Sequence, residues 1–251
     1  MHSVRIWTLE SDYDSQAVKC LAEKLVAYHQ LDNVFVRAVG KRAIPRPRRG
    51  NSDPAFALKR SVELYLEEDN CVIFVVDTDG PISESKRRKE PNSLINQVER
   101  VVRDKSFTGR VHIAWARQEL EAWLLIDCKG IFCYFARTRY KENCRDKINQ
   151  KTDFMRLISK YQAGKTEDIV EQEMGGRGPK EHLGEFSEKI LQALNPKMPR
   201  KNLKREKYKE RLSPKVAEYI EVNSETLKRN NSLQRLGKLI ARCRQAGPPP
   251  G

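Results

Sequence analysis

The stretch Cys71-Val72-Ile73-Phe74-Val75-Val76-Asp77-Thr78-Asp79-Gly80 joins a continuous apolar run to two aspartates. Such a run predicts a central parallel β-strand that is covered on both faces. In open α/β sheets, functional groups gather beyond the carboxyl ends of the strands. The stretch therefore predicts the fold class and also directs attention to Asp77 and Asp79.

Three further β-rich runs, at residues 4–9, 34–39 and 110–115, alternate with helical patterns. The first helix, at 15–28, carries Val18, Leu21 and Leu25 at helical spacing. The second, at 54–66, has Asp53 as a cap and a proline at its first position, and a third spans 94–102. Strands that alternate with helices predict a parallel sheet flanked by helices. We place this α/β domain at residues 1–128.

The second half of the chain predicts a different secondary structure. Residues 153–244 carry mainly helical patterns, so we expect 129–246 to be a helical basic region, packed on the first domain or appended to it. Residues 196–211 hold eight lysines and arginines against two glutamates. The Pro/Gly tail at 247–251 is expected to be disordered.

The composition of the 251 residues, 39% hydrophobic and 33% charged, is that of a globular protein. Lysine and arginine number 48 against 34 acids, and a net charge of +14 favours a polyanionic partner, most often nucleic acid. A merely basic protein is the alternative. No apolar run approaches the roughly 18–20 residues of a membrane span, so we expect no membrane partner.

The six cysteines include no C-x-x-C pair. We therefore expect neither a disulfide framework nor a tetra-cysteine zinc site, and a reducing compartment fits this usage. The opening residues MHSVRIWTLE contain no apolar signal core. Together these features predict a cytoplasmic protein.

Carboxylates follow three of the four predicted strands: Glu10, Asp12 and Asp14 after the first, Asp77 and Asp79 after the third, and Glu119 and Glu121 after the fourth. Packed carboxylates repel one another, so such a cluster needs compensation. Mg²⁺ (or Mn²⁺) is the natural compensation, and Mg²⁺ usually takes one or two carboxylates plus substrate phosphates. The alternative is that Asp77 and Asp79 only cap a turn and that Glu10 is an ordinary polar strand end.

Glu119 and Glu121 are expected to differ in role. Two residues apart on a helix, side chains diverge by about 200°, so both reach one site only if a helix begins there. Glu119 is the better candidate ligand, whereas Glu121 is free to pair with an arginine. Asp12 is expected to face solvent.

The order of these motifs resembles the Toprim fold, in which a Glu follows strand one, an Asp-x-Asp follows a central strand and an acid comes later. The motifs Glu10-Ser11-Asp12-Tyr13-Asp14, Val76-Asp77-Thr78-Asp79-Gly80 and Gln118-Glu119-Leu120-Glu121-Ala122-Trp123 are similar to those of the DUF4276 family of small bacterial Toprim-like proteins. The segments Gly178-Pro179-Lys180 and Leu212-Ser213-Pro214-Lys215 resemble that family's helical half. The family's first motif usually reads Glu-Gly, and here Ser11 follows Glu10.

The resemblance implies metal-assisted hydrolysis of phosphodiester bonds. Asp77 and Asp79 would hold Mg²⁺, Glu10 would be general acid/base or a further ligand, and Asp14 and Glu119 would complete the set. It also implies an antiphage nuclease of the OLD type that acts with a partner ATPase. The alternatives are a non-catalytic Toprim-like binding subunit of such a complex and an RNA- or tRNA-cleaving toxin with the same metal chemistry.

Basic side chains near these acids are the candidate nucleic-acid ligands. The loop 40–50 has five cations and no acid, and either clamps a phosphate backbone or is simply solvated. Lysines and arginines after the Asp-x-Asp motif, in the Gly-Pro-Lys turn and in the 196–211 run extend the set. The candidates are Lys41, Arg42, Arg46, Arg48, Arg49, Lys86, Arg87, Arg88, Lys180, Lys201, Lys204 and Arg205. We expect Trp115, Trp123 and His112 to be packing residues.

Overall fold

A computed structural model of the chain describes residues 2–45, 53–78, 85–86, 88–169 and 178–245. Its sheet has four parallel strands in the order β2-β1-β3-β4, which confirms the predicted parallel sheet. The strands are β1 (His2–Thr8), β2 (Val34–Val39), β3 (Cys71–Asp77) and β4 (Val111–Ala116).

The helices of the first half follow the predicted alternation: α1 (Asp12–Tyr28), α2 (Pro54–Glu68) and α3 (Leu94–Val102). Local capping explains where two of them begin. The backbone N–H of Ala55 donates to Asp53 Oδ1 at 3.0 Å, so Asp53 is the predicted cap of α2. The Ser11 hydroxyl accepts the N–H of Asp14 at 3.1 Å and caps α1 in the same way.

The second half is helical in its described residues, as predicted. Its helices are α4 (Glu121–Leu124), α5 (Cys128–Ala136), α6 (Cys144–Asn149), α7 (Thr152–Tyr161), α8 (Pro179–Leu194), α9 (Arg200–Glu206), α10 (Ser213–Tyr219), α11 (Ser224–Leu227) and α12 (Asn231–Cys243). Short 3₁₀ turns lie at Lys41–Ala43, Lys105–Phe107, Thr166–Asp168 and Glu210–Leu212. Residues 246–251, with the tail expected to be disordered, lie outside the described ranges.

Both faces of the sheet are covered, as the apolar run at β3 predicts. Alternate β3 side chains enter two different hydrophobic clusters. Ile73 and Val75 lie in one, and Phe74 and Val76 lie in the other. Side chains at successive strand positions point to opposite faces, so a strand buried on both sides must be apolar at every position.

The larger cluster joins the two halves of the chain. It contains Leu21 and Leu25 of α1 together with Phe132 of α5, Phe186 of α8 and Leu236 of α12. Helix α1 packs against α10, and α12 packs against β4. The helical region therefore covers one face of the sheet.

Two disulfides, Cys71–Cys243 and Cys133–Cys144, correct the expectation that the cysteines are unpaired. Cys71 begins β3 and Cys243 ends α12, 172 residues later, and the fold brings their Cα atoms to 5.6 Å. The spacing of cysteines along the chain does not predict a contact between residues so far apart in sequence. Cys20 and Cys128 are free thiols.

None of the helices in the described ranges is both long enough and apolar enough to cross a membrane.

Candidate functional site

Three parallel strands end together at one edge of the sheet. Thr8 of β1 is in register with Val75 of β3, and Asp77 of β3 is in register with Ala116 of β4. The segments that follow these strands therefore start side by side, as the sequence predicts. A small cleft at this edge is lined by Thr8, Leu9, Glu10, Asp14, Val18, Val75, Asp77 and Leu120. We call Glu10, Asp14, Asp77, Glu119 and Glu121 the carboxylate cluster.

Helix α1 carries Asp14 into this cleft. Ser11 has φ −147° and ψ 164°, an extended conformation open to any residue, so the position needs no glycine. Its cap on the N–H of Asp14 fixes the first turn of the helix. Asp14 is 8% exposed, and burial, with Glu210 and Glu10 nearby, raises the pKa of its carboxyl to about 6.

Asp77 is the last residue of β3 and the centre of the cluster. Within the described ranges its carboxylate accepts one hydrogen bond, from the N–H of Leu120 to Oδ2 at 3.4 Å. Burial, and then the charges of Asp14, Glu121 and Glu10, raise the pKa of Asp77 well above its usual range. Among the described residues, the charges that act most strongly on the Asp77 carboxylate are all negative.

Glu121 is a further member of the cluster, although the sequence favours Glu119 as the ligand. It is buried, and the hydroxyl of Tyr208 donates to its Oε1 at 2.9 Å. Ser213 Oγ lies 2.6 Å from the same hydroxyl. Burial, with Glu119 next, raises the pKa of Glu121 to about 7. The expected pairing with an arginine is replaced by this tyrosine bond.

A break in the chain explains why Glu121 reaches the site. Helix α4 begins at Glu121 and not before Glu119, so the two side chains are not on one helix. Gln118 has φ 70°, in the left-handed region that is costly for a residue with a Cβ, and its N–H donates to Thr78 Oγ1 at 3.0 Å. This turn redirects the chain between β4 and α4. An acid on each side of Leu120, directly after a strand, was the available sequence signal.

Lys180 is the cation that the described chain brings to the cluster. Its backbone N–H, in the first turn of α8, donates to Glu119 Oε2 at 3.0 Å, and its Nζ lies 3.4 Å from Glu210 Oε2. Although burial disfavours its charged form, the carboxylates of Glu121 and Glu210 raise the pKa of Lys180. Glu119 therefore also serves as a partner of the α8 N-terminus.

The loop after β2 begins at the same edge. Arg42 Nε lies 2.8 Å from Asp12 Oδ2, so Asp12, expected to face solvent, holds an arginine. A Cβ on Gly40 would lie 2.5 Å from Asp12 Oδ1, so glycine permits this close approach. The remaining predicted residues Asp79, Arg46, Arg48, Arg49 and Arg87 lie outside the described ranges.

The other predicted cations are on the surface. Lys41, Lys86, Lys201, Lys204 and Arg205 are exposed. Arg88 is also exposed, forms an ion pair with Glu99, and lies 5.3 Å from the Trp115 ring centroid. Trp123 is fully buried, as expected, whereas Trp115 and His112 are only half-buried.

The donor set fits a hard divalent cation. Its members are carboxylate oxygens beside a single described lysine, and the pKa values of Asp14, Asp77 and Glu121 are raised. The described carboxylates do not bring three oxygens within 4.8 Å of one another. Mg²⁺ usually keeps several waters and needs only one or two protein carboxylates, so a looser set suits it.

A group of three potential metal-binding residues, with ligand atoms within 4.8 Å, is formed by Cys71, His112 and Cys243. It belongs to the opposite edge of the sheet, since Cys71 is the first residue of β3. Its two sulfur atoms are joined in the disulfide and offer no thiolate in that state.

Comparison with known proteins finds no matching family model, no matching curated protein and no matching solved structure.

Proposed function

We propose that this protein is a Mg²⁺-dependent (or Mn²⁺-dependent) nuclease that hydrolyses phosphodiester bonds of nucleic acid. The observation that carries the proposal is the carboxylate cluster at one edge of a parallel sheet, in a chain of net charge +14. Buried acids with raised pKa values form a local excess of negative charge in a strongly basic protein, and a divalent cation would neutralise it.

In this proposal Asp77 and Asp79 hold the ion, and Glu10, Asp14 and Glu119 complete the set. Glu121 joins them because its carboxylate is electrostatically coupled to Asp77. When bound, the ion supplies an activated water and stabilises charge on the phosphoryl oxygens.

The protein's own groups then handle protons and charge. In this proposal Glu10, which is exposed at the strand end, takes a proton from water or returns one to the leaving oxygen. The Lys180 ammonium, whose pKa the carboxylates of Glu121 and Glu210 raise, offsets in this proposal the negative charge that develops on the phosphoryl group. Tyr208 holds Glu121 in position through its hydroxyl.

Surface cations supply affinity for the substrate backbone. Lys41, Arg42, Lys86, Lys201, Lys204 and Arg205 are exposed and carry the sequence-independent part of binding in this proposal. Such binding weakens as salt rises, because each neutralised phosphate releases counterions.

The cellular role follows the sequence resemblance. A Toprim-like nuclease of this kind would act in antiphage defence with a partner ATPase in the cytoplasm. Disulfides are rare in that compartment. A thiol-alkylation gel shift on protein taken directly from cells tests the location, because a cytoplasmic pool is expected to be reduced.

A non-catalytic binding subunit is the second candidate. The observation favouring it is that the described carboxylates do not bring three oxygens within 4.8 Å of one another. Nucleic-acid binding that is undiminished in EDTA, with no cleavage under any divalent metal, would support this candidate.

The test compares cleavage of plasmid DNA, single-stranded DNA and total tRNA with Mg²⁺, Mn²⁺ or EDTA. We expect metal-dependent cleavage by the wild type and a loss of at least about 100-fold in the Asp77→Asn variant, since a metal ligand is removed at almost constant shape. The substrate panel separates a DNA nuclease from an RNA-cleaving toxin, which would require the 2′-hydroxyl.

Asp153→Asn is the matched control, because it removes the same charge from an exposed position on α7. The control is expected to cleave at the wild-type rate. Cleavage by Asp77→Asn at the wild-type rate would overturn the catalytic assignment.

A further inference from the structure

A second cleft adjoins the carboxylate cluster on its β4 side. It has a volume of about 450 Å³, within the range of roughly 300–1,000 Å³ in which small ligands bind. Its lining is Thr78, Arg88, Trp115, Arg117, Gln118, Glu167, Asn231, Ser232 and Arg235. Thr78 directly follows Asp77 and Gln118 directly precedes Glu119, so the cleft and the cluster share two strand ends.

The cleft is rich in guanidinium groups. Arg117 and Arg235 are exposed, and within the described ranges neither makes an ion pair with a carboxylate. Guanidinium groups bind phosphate oxygens through two parallel N–H donors, a geometry that lysine lacks. Two such groups in one concave surface are suited to one or two phosphates of a nucleic-acid strand.

The carboxylate among the described lining residues, Glu167, is already engaged. Glu167 is buried, and its Oε1 accepts the N–H of Ser232 at 2.6 Å in the first turn of α12. Asn230 caps the same helix by accepting the N–H of Leu233 at 2.8 Å. The partial positive charge of the helix N-terminus thus offsets the charge of Glu167, and the arginines make the electrostatic potential of the cleft positive.

Trp115 provides an apolar wall. It is half-buried, and the Arg88 guanidinium lies over its ring at 5.3 Å. Arg88 is in turn held by Glu99 on α3. An indole fixed beside two guanidinium groups offers a contact for an unpaired base or its sugar, which is how single-stranded nucleic acids are commonly bound.

We propose that this cleft binds a nucleotide of single-stranded nucleic acid immediately beside the scissile phosphate, with Arg117 and Arg235 on its phosphates and Trp115 against its base or sugar. The inference rests on the proposed function for the nature of the ligand. It adds three substrate-binding residues that are not among the candidates predicted from the sequence.

The test measures binding without cleavage. Fluorescein-labelled single-stranded oligonucleotides of about 12 nucleotides, one DNA and one RNA, are titrated in EDTA and followed by anisotropy. The double variant Arg117→Ala/Arg235→Ala is expected to bind roughly tenfold or more weakly, and its salt dependence should fall by about 1.4 in log–log slope, for two lost phosphate contacts.

The control double variant, Arg156→Ala/Lys238→Ala, removes the same charge from exposed positions outside the cleft. It is expected to bind within about twofold of the wild type. Equal losses in the two double variants would mean that binding follows net charge alone, and would overturn the proposal.

Tryptophan emission gives a second readout. Of the three tryptophans, Trp7 and Trp123 are 0% exposed, so an oligonucleotide in the cleft should quench mainly Trp115. The quench is expected to disappear in Trp115→Phe. A full quench in that variant would contradict the proposed contact.

These measurements separate the two proposals. If the cleft variants lose binding but no form of the protein cleaves with metal, the cleft assignment stands and the nuclease proposal fails. If the wild type cleaves and the cleft variants bind as the control does, the nuclease proposal stands and the cleft assignment fails.

Discussion

Individual carboxyl groups in the cluster carry an electrostatic cost that depends on pH. Burial raises the pKa of Asp14 to about 6 and that of Glu121 to about 7, and it raises that of Asp77 as well. At pH values between the ordinary pKa of a carboxyl group and these raised pKa values, the folded protein binds more protons than the unfolded chain. Stability from these groups is therefore full at low pH and is lost as pH rises through about 6–7.

We expect Asp77→Asn to stabilise the metal-free protein at about pH 8 and to change it little at about pH 5. Removing one of several charges relieves repulsion only where the neighbours are ionised, and the gain is of the order of 1–3 kcal/mol. Thermal unfolding in EDTA at the two pH values measures the difference. Asp153 is exposed on α7, and Asp153→Asn is the control. Its effect on thermal stability should be the same at the two pH values.

Divalent metal should act in the opposite direction on the wild type. Mg²⁺ binds the ionised carboxylates, so its stabilising effect is expected at about pH 8 and is largely absent at about pH 5. Asp77→Asn should lose most of the effect. Equal stabilisation of the variant and the wild type by Mg²⁺ would argue against Asp77 as a ligand.

At the scale of elements, Asp127 connects three helices. It caps α5 through the N–H of Gly130 at 3.0 Å, and Arg145 of α6 donates to both of its oxygens at 3.2 and 2.5 Å. The N–H of Glu221, after α10, donates to it at 2.8 Å. A Cβ on Gly130 would lie 2.3 Å from the carbonyl oxygen of Tyr219, so glycine is required at this crossing.

Asp127→Ala is expected to lower the free energy of unfolding by about 3–5 kcal/mol. The change removes a buried carboxylate and leaves the Arg145 guanidinium without its main partner. Denaturant unfolding monitored by circular dichroism gives the value. Asp146→Ala in α6 is the control, and a loss below about 1 kcal/mol for Asp127→Ala would contradict the role given to this connection.

Local sequence patterns predicted the elements well, and contacts between distant elements poorly. The apolar run at β3 and the cap at Asp53 are encoded by neighbouring residues, so both were found. The sequence did not predict the hydrogen bond that holds Glu121 in the cluster, because its partner Tyr208 lies 87 residues away. The parallel sheet predicted the meeting of Asp14 and Asp77, since strand ends share an edge. No local sequence pattern marked Arg235 as part of the second cleft.

At the scale of the whole molecule, the Cys71–Cys243 bond joins the central strand to the last helix. A bond across a long loop removes more freedom from the unfolded chain than one across a short loop, by a chain-entropy account. We expect Cys71→Ala/Cys243→Ala to cost about 4–5 kcal/mol in the oxidised protein, against about 3 kcal/mol for Cys133→Ala/Cys144→Ala, whose separation is 11 residues.

Denaturant unfolding with and without a phosphine reductant tests this difference. Reduced wild type has neither bond, so its free energy of unfolding should approach that of the reduced Cys71→Ala/Cys243→Ala variant. Thiol titration of the unfolded, unreduced protein provides the reference. Two reactive thiols, Cys20 and Cys128, are expected. Six would contradict both bonds.

The long covalent loop also changes how the protein responds to proteolysis. A protease that hydrolyses one peptide bond anywhere between Cys71 and Cys243 leaves the two fragments attached through their sulfur atoms. The cut protein then migrates as one species on a denaturing gel until a reductant is added, when it separates into two. Limited digestion read with and without reductant would therefore locate accessible peptide bonds while the α/β layer and the last helix are still joined.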